Sequence, residues 1–380
     1  MTITINNKNK KTNVPNLRFP EFQGEWEEST IGEMFDLYSG NTPSRLNKEH
    51  FKGTVNWISS GELKEHYIYS SKEQISEEAA KSLKLLPVGT FVIAIYGLEA
   101  EGVRGTGSII QEPSTISQAC MSFIPKGVIE NEFLYSWYKK HGNVIGIRYA
   151  QGTKQQNLSY DILEKFRIAY PNTKEQEKLN KFISLLDERI STQSKIIDRL
   201  QSLIKGIAHK VSKQGKPNIR LSECLLCTSS TLQESDVAEV GAYPVYGANG
   251  IVGYLDTYNT TSEAIYIIKD GSGVGAVSCV KGKCSATGTL NILQTKEGFS
   301  LRYLYFILKV FSFEPYKTGM AIPHIYFKDY GKAKIYCPSN QLQCKYADLL
   351  SKIEQKATAE QKILDNLCSQ KQYLLCQMFI

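Results

Sequence analysis

Long hydrophobic runs are missing from this sequence. No apolar stretch approaches the roughly 18 to 20 residues that a membrane-spanning helix needs. The opening residues, MTITINNKNKKTN, contain neither the apolar core nor the small-residue cleavage site of a secretion signal. We therefore expect a cytoplasmic protein without membrane contact, in which residues 1–13 form a short polar tail.

Cysteines are present, but not in the pattern of a disulfide framework. There are nine, an odd number, and all except Cys120 follow residue 220, whereas small secreted domains carry evenly spaced, paired cysteines. Cys224 and Cys227 have the spacing of half a zinc site, but no second CxxC or HxxxH follows at the spacing of metal ligands. The sequence therefore predicts reduced thiols and no metal site.

Patterns that support catalysis are also scarce. The five histidines form no HExxH motif and no close pair. Gly271–Gly275 is similar to part of a dinucleotide-binding loop, but the residues after it predict a strand where a phosphate-binding helix would have to begin, so a hairpin turn is expected. Gly282-Lys283 lacks the other glycine of a P-loop, and there is no Asn-Pro-Pro-aromatic loop of the amino-methyltransferase kind. We expect a non-catalytic chain.

The composition is that of an ordinary globular protein with a surplus of positive charge. Of the 380 residues, 42% are hydrophobic and 22% charged, and the net charge is +7 with a pI near 8.7. This length allows two or three domains, each with its own core. The charge suits a polyanionic partner such as nucleic acid but does not require one.

The most informative feature is an internal repeat. Residues 152–211 align without a gap on residues 319–378, at a constant offset of 167 residues. The identical pairs include Lys165/Lys332, Ile168/Ile335, Pro171/Pro338, Gln176/Gln343, Ser184/Ser351, Lys195/Lys362, Ile196/Ile363, Asp198/Asp365, Leu200/Leu367 and Ser202/Ser369. A repeat of this length predicts two structural units, each a globular stretch followed by a long helix. One chain can in this way imitate a homodimer.

The helical part of each repeat carries a heptad pattern. After Pro171, the dipeptide Asn172-Thr173 offers an N-cap for a helix. Apolar residues then recur at alternating steps of four and three, with a polar break at the same position of each helix, at Gln193 and at Glu360, and a further departure at Lys371. The first series is Leu179, Ile183, Leu186, Ile190, Gln193, Ile197, Leu200, Ile204, Ile207 and Val211, and the second is Tyr346, Leu350, Ile353, Ala357, Glu360, Leu364, Leu367, Lys371, Leu374 and Met378. This spacing is typical of a coiled-coil seam.

Such a seam favours pairing of the two helices with each other. Packing of each helix on its own globular domain is the alternative, but so narrow a seam prefers another helix to a broad surface. An antiparallel pair would have internal pseudo-two-fold symmetry and would hold the globular domains at opposite ends of a rod of roughly 55 to 60 Å. Gln193 and Glu360 would then meet as a polar layer that fixes the register. Lys371, the counterpart of Ile204, would extend to solvent or find a carboxylate.

The two globular halves share an order of elements. Phe91–Ile95 and Ala264–Ile268 predict strands followed by glycine-rich turns, and Phe133–Tyr138 and Tyr303–Leu308 predict aromatic-rich helices. We therefore expect a mixed α/β (α+β) fold with two tandem domains. The predicted boundaries are 14–171 for the first domain, 172–212 for the central helix, 213–338 for the second domain and 339–380 for the last helix.

Several short motifs, in this order, resemble the specificity subunit of type I restriction-modification enzymes over essentially the whole chain. They are Pro15–Phe22 with Trp26-Glu27, Ser39–Ser44, Ile58–Gly61, Gln151–Ser159 and Ile168–Pro171 before the first long helix. The resemblance implies two target-recognition domains, each of which reads half of a split sequence in the major groove of double-stranded DNA. It also implies that the helices set the spacer and dock methyltransferase subunits, two of them, with restriction subunits added in the full complex.

By the same resemblance, S-adenosylmethionine, ATP and Mg²⁺ bind partner subunits, and this chain holds no cofactor. The second half departs from the first at Thr318–His324, where the Lys-Gln-Gln-Asn of the first repeat is missing. We therefore expect the base contacts of the two domains to differ.

Polar and basic side chains on predicted exposed turns are the candidates for contacts with DNA, because they can hydrogen-bond base edges and phosphates. Arg104, which lies between two glycines, is the strongest of them. The candidates are Arg45, Arg104, Lys154, Gln155, Gln156 and Asn157 in the first domain, and Tyr246, Asn249, Lys269, Ser272, Lys283 and His324 in the second. Each of them can equally be a solvated loop residue.

Two other functions stay open at this point. The chain could be a coiled-coil adaptor for oligomerisation that binds no DNA. Gel-shift titration against DNA would then show no steep dependence on salt. It could also derive from a fused restriction enzyme and keep only the recognition half in this chain, which incubation with a labelled methyl donor and DNA would test. The target sequence and the spacer length do not follow from the residues.

Overall fold

The computed structural model describes residues 13–97, 105–150 and 156–380. The chain divides into two compact units. The first comprises Met1–Thr192 and Leu364–Ile380, and the second comprises Gln193–Ile363. Each unit therefore combines a globular domain with parts of two helical segments that lie far apart in the sequence.

The first unit is a mixed α/β domain. Its elements are β1 (Glu27–Thr30), α1 (Ile31–Met34), β2 (Phe35–Ser39), β3 (Val55–Ile58), β4 (Tyr67–Ile68), β5 (Glu73–Ile75), α2 (Glu77–Ala80), β6 (Phe91–Ala94), β7 (Tyr96–Gly97), β8 (Gly107–Ile110), β9 (Ser114–Ile116), β10 (Cys120–Pro125), α3 (Asn131–Tyr149), β11 (Gln156–Asn157), α4 (Tyr160–Leu163), β12 (Arg167–Tyr170) and the start of α5 (Thr173–Ser212). The central sheet has the order β2-β10-β6-β8-β4, and a smaller sheet has the order β5-β3-β9.

The second unit repeats this design with shorter connections. Its elements are β13 (Ile219–Arg220), α6 (Leu221–Cys224), β14 (Leu225–Ser229), β15 (Tyr243–Gly247), β16 (Gly250–Leu255), β17 (Ala264–Ile268), β18 (Val277–Val280), β19 (Ser285–Ala286), β20 (Leu290–Thr295), α7 (Leu301–Val310), α8 (Phe327–Tyr330), β21 (Lys334–Ile335) and α9 (Asn340–Met378). The central sheet here has the order β14-β20-β17-β18, and the smaller sheet has the order β16-β15-β19.

Four strands of the two central sheets correspond in order. In both units the strand after a four-residue helix (β2 or β14) pairs with the strand before the aromatic-rich helix (β10 or β20), and β6-β8 or β17-β18 follow, whereas β4 is an additional strand of the first sheet. A two-stranded sheet, β1-β12 in the first unit and β13-β21 in the second, joins the start of each domain to the segment before its long helix. The predicted mixed α/β class with a duplicated skeleton is confirmed.

Each long helix begins just after the predicted proline boundary. Helix α5 starts at Thr173, and the Asn172 side chain accepts a hydrogen bond from the backbone N–H of Glu175 at 3.1 Å. Glu175 lies in the first turn, where a carboxylate is favoured by the positive end of the helix dipole, and it is buried in a double hydrogen bond with Arg18 at 2.7 Å. The N-terminal segment that contains Arg18 is thereby attached to the helix.

The seams of the two helices pair in both units. In the first unit Leu179 and Ile183 from the first half of α5 share a core with Leu374 and Met378 from the second half of α9. In the second unit Ile204 and Val211 from the end of α5 share a core with residues of the start of α9. Early residues of one helix therefore meet late residues of the other, so the predicted antiparallel coiled coil is confirmed.

The polar breaks of the two seams meet in the second unit. The side-chain Nε2 of Gln193 donates to the Glu360 Oε2 atom at 2.5 Å and to the Glu360 backbone oxygen at 3.1 Å. The other Glu360 carboxylate oxygen accepts a hydrogen bond from Lys356 at 2.9 Å. These bonds hold together two residues that occupy the same position of the sequence repeat.

The core of the first unit includes residues from the very end of α9 and beyond it. Phe379 is buried and its ring lies 5.2 Å from that of Phe133 in α3. The backbone oxygen of Gln377 accepts a hydrogen bond from the Leu17 N–H at 3.0 Å. Residues separated by most of the chain therefore complete a single hydrophobic core.

Candidate nucleic-acid interface

Two loops of the second unit are held side by side. The first is the Lys269–Gly275 turn between β17 and β18, which pair antiparallel, so the predicted hairpin turn is confirmed. The second is the Thr318–His324 loop before α8. The Gly271 N–H donates to the Pro323 oxygen at 3.0 Å, and the Ile325 N–H donates to the Lys269 oxygen at 2.9 Å. We call Lys269–Gly275 and Thr318–His324 the paired loops.

The Thr318–His324 loop is closed by its own hydrogen bonds. Thr318 and His324 exchange backbone hydrogen bonds at 2.9 and 2.7 Å, and the His324 Nδ1 atom lies 2.7 Å from a carboxylate oxygen of Asp270. Gly319 has a φ of +89°, and a Cβ atom there would lie 2.3 Å from the Ile322 oxygen, so the turn requires glycine. Together with the bonds between the paired loops, these bonds place His324 beside the turn that contains Lys269 and Ser272, two other predicted contact residues.

A basic and aromatic cluster lies elsewhere in the second unit. The rings of Tyr243 and Tyr258 pack edge to face with centroids 4.8 Å apart, and the Lys283 ammonium lies 4.9 Å from the centroid of Tyr258. Lys283 is exposed. A cation held over aromatic rings next to solvent is suited to contact with a phosphate.

Tyr246 is placed differently from the prediction. It lies within β15 and not on an exposed turn, and its ring packs edge to face on Tyr266 at 5.9 Å. Burial raises the pKa of its hydroxyl group. The turn that follows contains Asn249, which is exposed as predicted, and it borders a cavity of about 320 Å³ shared with the edges of β17 and β18.

In the first unit, Arg45 is bound by side chains of its own domain. Both of its terminal nitrogens donate to the Glu73 carboxylate, at 2.9 and 2.8 Å, and its guanidinium lies 4.5 Å from the ring centroid of Phe51. The hydrogen bond to Glu73 raises the pKa of Arg45. More than half of the side chain stays exposed, so it presents a fixed, partly neutralised cation to solvent.

In the first unit, the segment Gln156–Leu158 is hydrogen-bonded to the residues that follow strand β6. Strand β11, Gln156–Asn157, pairs antiparallel with β7, and the Leu158 N–H donates to the Ile95 oxygen at 2.9 Å. Its donor, Leu158, is 167 residues before Ile325, which makes the corresponding bond to the Lys269 oxygen in the second unit. Asn157 therefore lies in a short strand and is exposed. The predicted contact residues Arg104, Lys154 and Gln155 lie outside the described residues, and so does the side chain of Gln156.

A buried charge cluster, which no sequence motif indicated, connects the first domain to the long helices. The His66 ring is stacked between Tyr67 and Tyr135, each with a centroid 4.0 Å away. Its Nε2 atom lies 2.8 Å from the Glu132 carboxylate and its Nδ1 atom 3.0 Å from the Asp187 carboxylate. A carboxylate oxygen within 3.0 Å of each ring nitrogen favours the doubly protonated, cationic imidazole.

The electrostatics of this cluster agree with that geometry. Burial lowers the pKa of His66, but the carboxylates of Asp187 and Glu132 outweigh burial and raise the pKa above its ordinary value. Burial likewise raises the pKa of Asp187, but His66 and Lys371 outweigh it and lower the pKa. Lys371 of α9 is ion-paired with Asp187 of α5, so the prediction that Lys371 would find a carboxylate is confirmed.

The second unit has a corresponding cluster of different composition. Glu354 occupies the repeat position of Asp187, and its carboxylate accepts a hydrogen bond from the Tyr305 hydroxyl group at 2.7 Å. It also pairs with Arg302 and Lys309, both at 3.3 Å. An internal alignment of the repeat would have identified the shared carboxylate, but not its partners, which come from distant segments.

Metal sites and membrane spans are not among the features of the described structure. Within the described ranges, no three His, Cys, Asp or Glu side chains lie close enough together to hold a metal ion. In the same part of the chain, no helix has both the length and the apolar character needed to cross a membrane.

This chain is similar in sequence and in fold to known proteins. The family model described as type I restriction modification DNA specificity domain matches residues 23–202 and again residues 224–368. The chain belongs to this family. The first match includes residues 152–202 of the first copy of the sequence repeat and the second includes residues 319–368 of the second copy, so each half of the chain contains one specificity domain.

Relatives of the family are found in archaea and bacteria. The chain is 28% identical over 185 residues to the specificity subunit of the type I restriction enzyme MjaIX from Methanocaldococcus jannaschii, which covers 47% of this chain and 42% of that protein. It is 30% identical over 193 residues to the EcoR124I/EcoR124II specificity subunit from Escherichia coli, covering 49% and 47%. The chain thus spans less than half the length of each of these two relatives.

A solved specificity-domain protein has the same fold. The crystal structure of the S subunit of a type I restriction-modification system from M. genitalium matches with a TM-score of 0.66 at 20% identity, and the match covers 97% of this chain and 99% of that one. This likeness concerns the fold as a whole, including the order of domains and long helices.

Proposed function

We propose that this chain is the DNA sequence-recognition subunit of a type I restriction-modification complex. Each unit reads one half of a bipartite target in double-stranded DNA, and the coiled coil docks two methyltransferase subunits and, in the full complex, restriction subunits. The chain itself is non-catalytic and works in the cytoplasm. S-adenosylmethionine, ATP and Mg²⁺ act on the partner subunits.

One observation carries this proposal: the specificity-domain model matches the chain twice, once in each compact unit. A protein that reads one continuous DNA sequence would need only one such domain. Two copies with a shared skeleton and different loops supply two separate reading surfaces, which is what a target in two parts requires. The antiparallel helices join these copies within one chain, as a dimer interface joins two subunits.

The candidate contacts support reading by loops on a rigid scaffold. In both units a loop from before the long helix is hydrogen-bonded to the turn after a central strand, and the two donors, Leu158 and Ile325, occupy the same position of the repeat. Binding residues are often found on loops held by such a scaffold. We propose Asn157, Lys269, Ser272 and His324 as contact residues from these loops. Arg45, Asn249 and Lys283, from other exposed turns, and Tyr246, near the Asn249 turn, complete the set in the described residues; Arg104, Lys154, Gln155 and Gln156 are proposed from the sequence alone.

The decisive experiment is to express the chain together with its methyltransferase subunit in a host without adenine methylation, and to sequence the methylated positions of the genome. We expect one motif made of two short specified parts separated by an unspecified spacer, with methylated adenines. A continuous motif, or a complex that forms but leaves the genome unmodified, would contradict the proposal.

A domain exchange tests the assignment of half-sites. If Gln214–Ser339 is replaced by the corresponding segment of a relative with another specificity, only one half of the methylated motif should change, because only the second reading surface has been replaced. The matched control replaces residues 14–171 and should change the other half alone. Change in both halves after either exchange would show that the units do not read DNA separately.

Two further measurements address the alternative functions. Gel-shift titration of the chain against random duplexes at two salt concentrations should show a steep loss of affinity with salt, because phosphate contacts release counterions. An adaptor without DNA binding would show none. Incubation of the chain alone with labelled S-adenosylmethionine and DNA should give no incorporation, and incorporation would overturn the non-catalytic assignment.

A further inference from the structure

The tip of the Thr318–His324 loop is an exposed apolar surface. Met320 is fully exposed and Ile322 is 58% exposed, with Ala321, also exposed, between them. None of these three side chains can donate or accept a strong hydrogen bond. Large apolar side chains that cluster at one exposed point usually mark a contact surface.

The loop cannot easily withdraw these side chains. Backbone hydrogen bonds between Thr318 and His324 close it, the His324 ring contacts Asp270 at 2.7 Å, and the Gly271 N–H is bonded to Pro323. Hydrogen bonds therefore hold the residues on both sides of the tip in place. An apolar surface held out in this way is ordered before it meets a partner, which lowers the entropic cost of binding.

The first repeat has a different chemistry at the same positions. Met320, Ala321 and Ile322 correspond, at the offset of 167 residues, to Thr153, Lys154 and Gln155. The three residues of the first repeat can all form hydrogen bonds with base edges or phosphates, whereas the three of the second cannot. The two copies of the repeat thus have opposite contact chemistry at these sequence positions.

On the basis of the function proposed above, we infer that Met320 and Ile322 recognise thymine through its 5-methyl group in the major groove. The methyl group is the one apolar feature among base edges, and the minor groove offers none. Lys269, which lies beside this loop through its bond to Ile325, supplies a positive charge for the nearby phosphates. The second unit therefore specifies part of its half-site by apolar contact.

The test begins with selection of duplexes from a random library by the full chain, which yields a preferred duplex. Each thymine in that duplex is then replaced by uracil, which lacks only the methyl group. We expect at least one replacement to weaken binding of the wild-type chain about fourfold, the effect of exposing one buried methyl group to water. The Met320→Ala chain should bind the unmodified duplex with a similar reduction in affinity and should be indifferent to uracil at that same position.

Val240→Ala is the matched control, because Val240 is another exposed apolar residue of the second unit, at 86% exposure. It should keep both the affinity and the response to uracil. Folding of each variant is checked by circular dichroism and thermal melting. Since Met320 is fully exposed, its substitution should leave the melting temperature unchanged.

Three results would overturn the inference. Uracil could be tolerated at every position of the preferred duplex by the wild-type chain. Met320→Ala could weaken binding equally with thymine and uracil, as an apolar wedge between base steps would. The variant could also bind DNA normally and show reduced affinity for the methyltransferase subunit instead. Failure of the proposed function is distinguishable, because the library would then yield no preferred duplex at all.

Discussion

Gln176 and Gln343, which are 167 residues apart and occupy the same position of the repeat, make the same pair of hydrogen bonds in their two units. The Gln176 Oε1 atom accepts from the Glu130 N–H at 3.0 Å and its Nε2 atom donates to the Pro171 oxygen at 2.9 Å. Gln343 does so with the Ser300 N–H at 3.0 Å and the Pro338 oxygen at 2.9 Å. Each glutamine thus joins the start of the aromatic helix to the start of the long helix.

Replacement of either glutamine by alanine should destabilise its own unit. Both side chains are buried, so the variant would leave a backbone N–H and a carbonyl oxygen unpaired, at a cost of about 1 to 3 kcal/mol. Chemical denaturation gives this free energy. Gln341→Ala, at an exposed position of the first turn of α9, is the control and should change stability by less than about 0.5 kcal/mol. An equal loss of stability in Gln341→Ala and Gln343→Ala would contradict the stabilising role of the Gln343 hydrogen bonds.

The contact between Gln193 and Glu360 should control the register of the coiled coil more than its stability. Replacement of both by leucine fills the seam with apolar side chains, so we expect a melting temperature equal to or above that of the wild type. Each single replacement leaves one polar partner behind and should melt below the double variant. Thermal melts of all four chains form a double-mutant cycle.

The register itself is followed by lysine cross-linking and mass spectrometry. In the wild type, cross-links between α5 and α9 should define one alignment, and in the double variant additional alignments should appear. A double variant with lower stability and unchanged cross-links would refute the role of this polar layer.

The cluster around His66 should make the stability of the first unit depend on pH. The folded pKa of His66 is raised above 6.5, so its stabilisation is complete below the unfolded pKa and is lost as the pH rises through the folded value. Each unit of raised pKa corresponds to about 1.4 kcal/mol. The difference in unfolding free energy between wild type and His66→Gln should therefore be largest below pH 6.5 and should shrink as the pH increases.

Two other titratable groups of this cluster, Lys139 and Asp187, are present in both the wild type and His66→Gln. Burial and the neighbouring charge of Lys371 lower the pKa of Lys139 to about 8, and the lowered pKa of Asp187 gives stabilisation that is lost only under acidic conditions, as the pH falls through its folded value. Both groups remain in His66→Gln. Asp187 then loses one of the partners that lower its pKa, but this effect is confined to acidic pH, so the difference between the two chains at neutral and alkaline pH reports on His66. A difference that is constant from pH 5 to 9 would show that His66 does not carry the dependence.

Lys283 should contribute a phosphate contact. Lys283→Ala should weaken binding to all duplexes alike and reduce the slope of log affinity against log salt by about 0.9. Lys281→Ala is the matched control from the same turn, since Lys281 lies 3.7 Å from Glu263 and its charge is partly compensated. Equal slopes for the two variants would remove Lys283 from the interface.

The elements that are periodic in sequence could be predicted from it. The heptad spacing located both helices, and the constant offset identified Gln193 and Glu360 as equivalent positions before their contact was known. The hairpin at Gly271–Gly275 followed from the strand-like residues after it. These features depend on local pattern or on the repeat, both of which are visible along the chain.

Contacts between distant segments could not be predicted in the same way. His66, Glu132 and Asp187 lie on three elements, and no spacing rule connects them. Tyr246 is predicted to lie on an exposed turn, but pairing of β15 with β16 and packing on Tyr266 place it in a strand. Tertiary packing decided these positions, so they became evident only from the fold.

The burial of Phe379 against Phe133 has a consequence for biosynthesis. The first unit begins to leave the ribosome early, yet its hydrophobic interior stays incomplete until more than 200 further residues have been made, since 379 and 133 are 246 positions apart. Until then the unit exposes an unfilled cleft. The final closing of this domain must therefore wait for synthesis of the last helix, so the first unit to be started is among the last to be completed.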